Sequence, residues 1–237
     1  ATITQGKHIH MNKRAYRKPS SAFFTLVMLA MAGWLSVQAA NYGLSIGINK
    51  YAYGPGDLNA CINDANGIRN SLLADTSHWQ AGTLSLVTDG TATKANIRAL
   101  LQQLAYTAVS GDVVVYFQSS HGGRNSGTSV FLCTYDADYQ ATELAADLAQ
   151  FQNGVKVIII IDACYSGGLF RDADGNPTWQ FAETVMRYYD EIQLEQGTSR
   201  APSIGWMTAC DYYQTSLENS QNGFFAAPYH KLTLMHR

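Results

Sequence analysis

Val155-Lys-Val-Ile-Ile-Ile-Ile-Asp162-Ala-Cys164-Tyr-Ser-Gly-Gly168 decides the fold. From Val155 to Ile161 every residue but Lys156 is β-branched. An apolar run without alternation suits a strand covered on both faces, as in a parallel sheet with helices on either side. A second run repeats the design: Asp112-Val-Val-Val-Tyr-Phe-Gln-Ser-Ser-His121-Gly-Gly123. Each run delivers a reactive side chain into a Gly-rich turn, Cys164 in one and His121 in the other. In open α/β sheets, functional groups gather at the carboxyl ends of the strands. Neighbouring strands lie about 4.8 Å apart, so adjacent placement of these two brings thiol and imidazole together. Gly122, Gly123, Gly167 and Gly168 are expected to let the backbone turn sharply and to let a substrate come close.

That pair has an obvious chemistry. An ordinary thiol is only partly ionised at neutral pH, and the thiolate is the nucleophile. A neighbouring imidazole takes its proton and later gives it to the leaving amine. Backbone N–H groups near Gly122 and Cys164 are the expected oxyanion donors. Taken singly, Cys164 reads equally well as a small buried hydrophobe and His121 as a loop histidine. Their matched strand–turn settings favour a nucleophile and its base, and hence a cysteine peptidase.

Ser119-Ser-His121-Gly-Gly123 and Asp162-Ala-Cys164-Tyr-Ser-Gly-Gly168 resemble the two catalytic blocks of caspase-type peptidases. The animal caspase signature has Gln-Ala-Cys; Asp162 in place of that Gln points to the metacaspase-like and bacterial branch of peptidase family C14. Three further blocks resemble the family in the right order. Leu44-Ser-Ile-Gly-Ile-Asn-Lys-Tyr51 is similar to its opening strand, and Leu58-Asn-Ala-Cys61-Ile-Asn-Asp64-Ala65 to the start of its first helix. Met207-Thr-Ala-Cys210-Asp-Tyr-Tyr-Gln-Thr-Ser216 is similar to its late strand and substrate-pocket loop. The resemblance spans about residues 42 to 225 and implies a caspase-like fold, with a mostly parallel central sheet and helices on both faces. It also implies an acidic pocket for Arg or Lys before the cleaved bond, made by Asp162 and Asp64 with Cys61 and Ser119 as lesser contributors. Two carboxylates favour a guanidinium or ammonium through charge-assisted hydrogen bonds and repel an acidic side chain. Asp64 taken alone also reads as an ordinary acid near a helix N-terminus.

The remaining chain agrees with one α/β domain. Its 237 residues suffice for a single core once the N-terminal segment is set aside. Net charge is −2, and the mature region has no basic cluster, so the expected partner is a peptide or protein and not nucleic acid. Strands are expected at 43–48, 83–88, 112–118, near 129–134, 155–161 and 203–208, with helices at 62–74, 93–106, 142–152 and 179–195. Ile97, Leu100, Leu101 and Leu104 mark one face of the second helix. Alternation of this kind argues for a parallel sheet.

Residues 1–10 read as an upstream remnant. Residues 11–39 read as a secretory signal peptide: a basic start from Met11 to Lys18, an apolar run, and a small-residue cleavage site at Val37-Gln38-Ala39. An uncleaved anchor is the alternative reading of that run, which is short for a membrane span. Residues 40–237 are then an exported, periplasmic or secreted peptidase domain with no stable span after cleavage. Its end, broken by Pro228, is short of the final helix the family implies. Oligomeric state is not legible. Cys61, Cys133, Cys164 and Cys210 lack zinc-type spacing and indicate no particular disulfide.

The chemistry requires no cofactor. The family resemblance raises calcium as an activator, with Asp136 and Asp138 as its expected ligands. Asp172, Asp174, Asn176 and Glu183 have EF-hand spacing, but Pro177 stands where that loop needs Gly, so the stretch reads as a polar turn. Arg171, Arg187 and Arg200 are candidate self-processing sites or plain surface arginines. Two other functions stay open: a non-catalytic caspase-like interaction module, and an Arg-specific exported peptidase of the gingipain type.

Overall fold

The computed structural model describes residues 39–125, 129–169, 203–210 and 215–217. The segment up to residue 38, which holds nearly all of the expected signal peptide, the stretch from Arg171 to Arg200 and the chain from Glu218 onward lie outside the described residues.

Five strands form one parallel sheet: β1 Asn41–Gly47, β2 Leu84–Thr88, β3 Val113–Ser119, β7 Lys156–Asp162 and β8 Ser203–Thr208. Their order across the sheet is β2-β1-β3-β7-β8. The two runs that open the sequence argument are therefore neighbours, in a register that pairs Val113 with Lys156 and Ser119 with Asp162.

Side-chain alternation divides the core between the two faces of the sheet. Val115, Phe117 and Ile160 pack with Ala65, Ile68 and Leu72 of helix α1, Cys61–Ala74. Val114, Tyr116, Val157, Ile159 and Ile161 pack on the other face with Ile97 and Leu101 of α2, Lys94–Thr107, and with Leu144 and Leu148 of α3, Ala141–Leu148. The mostly parallel α/β sheet with helices on both faces is thus the observed fold. Leu100 and Leu104 of the expected α2 face pack on the core partly buried.

Between α2 and α3 lies Asp147, fully buried. It accepts hydrogen bonds from Arg98 Nε at 2.6 Å, Arg98 Nη2 at 3.0 Å and the Tyr139 hydroxyl at 2.7 Å. A buried carboxylate persists only when paired in this way.

Two local features depart from expectation. The stretch after His121 forms three short strands, β4 Gly122–Arg124, β5 Val130–Cys133 and β6 Asp138–Gln140, in an antiparallel sheet of their own. Only the middle one carries enough apolar residues to be legible. Helix α3 ends at Leu148, short of residue 152, because Gln150 and Phe151 donate to Asp147 and Leu148 in a tightened last turn. Phe151 is then buried in the core, and Gly154, at φ +81°, turns the chain into β7.

Candidate active site

The parity of two strands builds the site. Ser119 and Asp162 are paired neighbours whose side chains share the α1 face, and His121 and Cys164 each follow two residues later. Leu58, Cys61, Asp64, Ser119, Ser120, His121, Asp162, Cys164, Ser216 and Leu217 line one pocket of about 70 Å3. A single water needs only about 10–15 Å3 of such space, so the pocket holds several waters or one planar head group. All six residues expected at the nucleophile, base and substrate pocket are therefore brought together. Gly122, an expected oxyanion residue, abuts the pocket.

His121 is half-buried and fixed at three of its polar atoms. Its backbone N–H donates to the Tyr51 hydroxyl at 2.8 Å, and its carbonyl accepts from Cys133 N–H at 2.8 Å and from the Ser120 hydroxyl at 3.0 Å. Its Nε2 lies 2.8 Å from the Gly56 carbonyl. A carbonyl only accepts, so Nε2 carries the hydrogen and Nδ1 is the nitrogen able to take a proton. The Tyr51 ring stacks at a tilt against the imidazole, centroids 5.2 Å apart. Burial raises the Tyr51 hydroxyl well above its ordinary value, so it stays protonated and donates to the Ile48 carbonyl at 3.0 Å.

Cys164 is a free, half-buried thiol. Burial pushes it up from its ordinary value. Its sulfur lies 3.7 Å from the Ser216 carbonyl. The residue after it, Tyr165, has φ 59°, a left-handed conformation that costs a side-chain-bearing residue about 1–2 kcal/mol. The turn is held around the strain. Arg124 lies over the Tyr165 ring, 5.6 Å from its centroid, and Gly168 N–H donates to the Tyr165 carbonyl at 2.9 Å. On the other side, Cys210 Sγ is 3.0 Å from the Ala163 carbonyl, and Gly167 N–H donates to the Cys210 carbonyl at 2.8 Å.

The two turns touch at Gly122. A Cβ there would stand 2.2 Å from the Cys164 carbonyl oxygen. The need for glycine is thus the close approach of the His121 turn to the Cys164 turn. The strained turn falls on Tyr165, where no glycine was expected.

In the pocket, Asp64 is fully buried and Asp162 nearly so. Asp64 Oδ2 accepts the Ser119 hydroxyl at 3.0 Å, and Asp162 Oδ1 accepts the Ser216 hydroxyl at 2.6 Å. Cys61 opens α1, its N–H donating to Asn49 Oδ1 at 2.9 Å.

Asp136 and Asp138, the expected calcium ligands, border β6. Asp136 Oδ1 accepts the Lys94 backbone N–H at 2.8 Å and the Thr134 hydroxyl at 3.2 Å. Asp138 Oδ1 accepts the Tyr53 hydroxyl at 2.6 Å, and Lys94 Nζ donates to the Asp138 carbonyl at 3.1 Å. Among the described residues no cluster of three His, Cys, Asp or Glu side chains is placed to hold a metal. On each of the two carboxylates it is Oδ1 that serves these protein donors.

Sequence reasoning did not single out Gly56 or Tyr51 as site residues, and it placed Ser216 only within the block that resembles the substrate-pocket loop. Gly54-Pro55-Gly56 carried a signal, since such a turn marks close backbone approach. A hydroxyl placed by tertiary packing carries none.

Comparison with known proteins follows the same lines. A family model described as the caspase domain matches residues 41–227. Metacaspase-1 of Arabidopsis thaliana is 28% identical over 195 residues, which covers 72% of this chain and 51% of the relative. Metacaspase-4 of the same plant is 30% identical over 172 residues, covering 65% of this chain and 40% of the relative. The chain thus spans about half the length, or less, of the curated relatives it matches. A crystal structure of a Geobacter sulfurreducens protein superposes with a TM-score of 0.58 at 23% identity, over 79% of each chain, and shares the fold.

Proposed function

The chain belongs to the caspase-domain family, and we propose that it is a cysteine endopeptidase that cleaves peptide bonds after Arg or Lys with Cys164 and His121. The observation that carries this reading is the register of β3 and β7, which opens a nucleophile, a fixed imidazole and two buried carboxylates onto one pocket. Nδ1 of His121 accepts the Cys164 proton, and the thiolate adds to the scissile carbonyl. Backbone N–H groups at Gly122 and Cys164 stabilise the oxyanion. The imidazolium then protonates the leaving amine, and water hydrolyses the thioester by the reverse route. Asp162 and Asp64 hold the basic side chain before the cleaved bond.

The test is hydrolysis of Arg-, Lys- and Asp-terminated fluorogenic peptides. Cleavage after Arg or Lys, lost in Cys164→Ala, is expected. Asp162→Asn should lower kcat/KM for those peptides on the order of 100-fold, the usual scale for one partner of a buried charge pair. Cleavage after Asp alone overturns the specificity, and silence from the folded protein favours a non-catalytic interaction module.

No step above needs a cofactor. Activation by calcium at Asp136 and Asp138 would have the ion share these carboxylates with the Tyr53 and Lys94 donors on Oδ1. Equal rates in chelator and in millimolar calcium remove that role. The export expected of residues 11–39 is tested by N-terminal sequencing of the mature protein; an intact segment retained with the membrane fraction argues for an anchor.

A further inference from the structure

Ser216 touches both functional ends of the pocket at once. Its hydroxyl is 2.6 Å from Asp162 Oδ1, and its backbone carbonyl oxygen is 3.7 Å from Cys164 Sγ. A side-chain donor on the pocket carboxylate and a peptide carbonyl against the nucleophile are what a bound substrate residue presents. The next residue, Leu217, also lines the pocket and is 64% exposed at its mouth. The pocket is small, about 70 Å3.

From this we propose that Ser216 is an internal competitor for the basic-residue pocket, a specificity residue whose hydroxyl a substrate Arg or Lys must displace from Asp162. The inference rests on the proposed reading of the pocket as a site for basic side chains. A hydroxyl donating to a carboxylate makes a charge-assisted hydrogen bond, stronger than a neutral one. An incoming guanidinium replaces it with a bidentate and fully charged pair. An apolar or acidic side chain offers nothing in exchange and leaves the carboxylate without the donor it had. Ser216 therefore raises the threshold for every ligand and rejects non-basic ones most strongly. The hydroxyl also gives the buried Asp162 carboxylate a donor while the pocket is empty.

The consequence is opposite to that of an ordinary binding residue: removing the hydroxyl should tighten binding. The experiment measures binding of Nα-acetyl-arginine amide, with Nα-acetyl-norleucine amide as the uncharged control, by calorimetry. It compares the full chain with Ser216→Ala and with Ser216→Thr, which keeps a hydroxyl. About tenfold tighter binding of the arginine amide to Ser216→Ala is expected, the equivalent of one such hydrogen bond. Ser216→Thr should stay near the parent affinity, and thermal unfolding should show all three proteins folded. Equal affinity in Ser216→Ala and the parent, or weaker binding in Ser216→Ala, overturns the competitor role while leaving the basic pocket intact. Failure of both proteins to prefer the arginine amide over norleucine overturns the basic pocket itself, and the competitor role with it.

Discussion

The turn carrying His121 and the turn carrying Cys164 leave the sheet from paired strands, yet they are held in different ways. Backbone N–H, carbonyl and Nε2 of His121 all have partners, from three separate parts of the chain. The ties of the other turn fall on the neighbours of Cys164: the Ala163 carbonyl, Gly167 and Tyr165. The sulfur itself lies 3.7 Å from the Ser216 carbonyl, a long contact. His121 is thus fixed in orientation and tautomer, while Cys164 sits on a strained turn whose ties fall on its neighbours. Such a division suits nucleophilic catalysis. The imidazole must be aimed before substrate arrives, whereas the sulfur must travel from thiol to tetrahedral adduct.

The hardest blow to the comparison is removal of each group in turn. Cys164→Ala and His121→Ala should each lower kcat by a factor on the order of 10^4 or more, and the double variant should be no worse than the poorer single one. Such non-additivity marks two residues acting as a unit. Additive losses in single-turnover assays would mean that the two turns act independently. A smaller but more pointed break is Gly122→Ala, which puts a methyl 2.2 Å from the Cys164 carbonyl and pushes the turns apart. A displacement of this order costs about 100-fold in rate. Retention of full activity in that variant would show that the spacing of the turns does not matter.

Tyr51→Phe tests the rigid side alone. It leaves His121 N–H without the acceptor it has at 2.8 Å and keeps the ring beside the imidazole. A buried donor without a partner costs about 1–3 kcal/mol, so denaturant unfolding should show a loss in that range. Activity should fall about tenfold or less, in kcat and not in KM, because the substrate pocket is untouched. A change in KM alone would place Tyr51 with the substrate and not with the base.

The sequence and the structure agree where backbone physics is strong. β-branched runs without alternation announced the parallel strands, and the positions of β3 and β7 fell within one residue of expectation. Because β3 and β7 pair in register, His121 and Cys164, two positions beyond them, come to line one pocket. The small sheet β4–β6 was legible only at Val130–Cys133, since the three-residue strands Gly-Gly-Arg and Asp-Tyr-Gln are too short to carry a periodic signal. Gly56 acts through a carbonyl, which every residue has, so its identity could not announce its role. Ser216 lies 54 residues from Asp162, and only tertiary packing shows that its hydroxyl enters the pocket.

The mildest test uses pH to separate the two sides. Burial raises the Cys164 thiol, so the rise of activity that follows thiolate formation should lie above the range of an ordinary thiol. On the His121 side, Cys133 hydrogen-bonds the His121 carbonyl through its N–H, and burial pushes its thiol up to about 11 from 9.0. The folded protein therefore holds that proton more tightly than the unfolded chain does. As pH rises past about 9 the unfolded chain releases its proton first, so the stabilisation is complete below 9 and is lost by about 11. The full contribution is about 2.7 kcal/mol at most. Buried tyrosines add to the same alkaline slope above about pH 10, and Cys133→Ala removes only the thiol's share. Stability measured from pH 7 to 11 should fall less steeply in that variant, from a lower starting value set by the lost packing. Parallel curves for variant and parent would mean that the Cys133 thiol is not pushed up, and that the His121 side is no more tightly buried than the turn it faces.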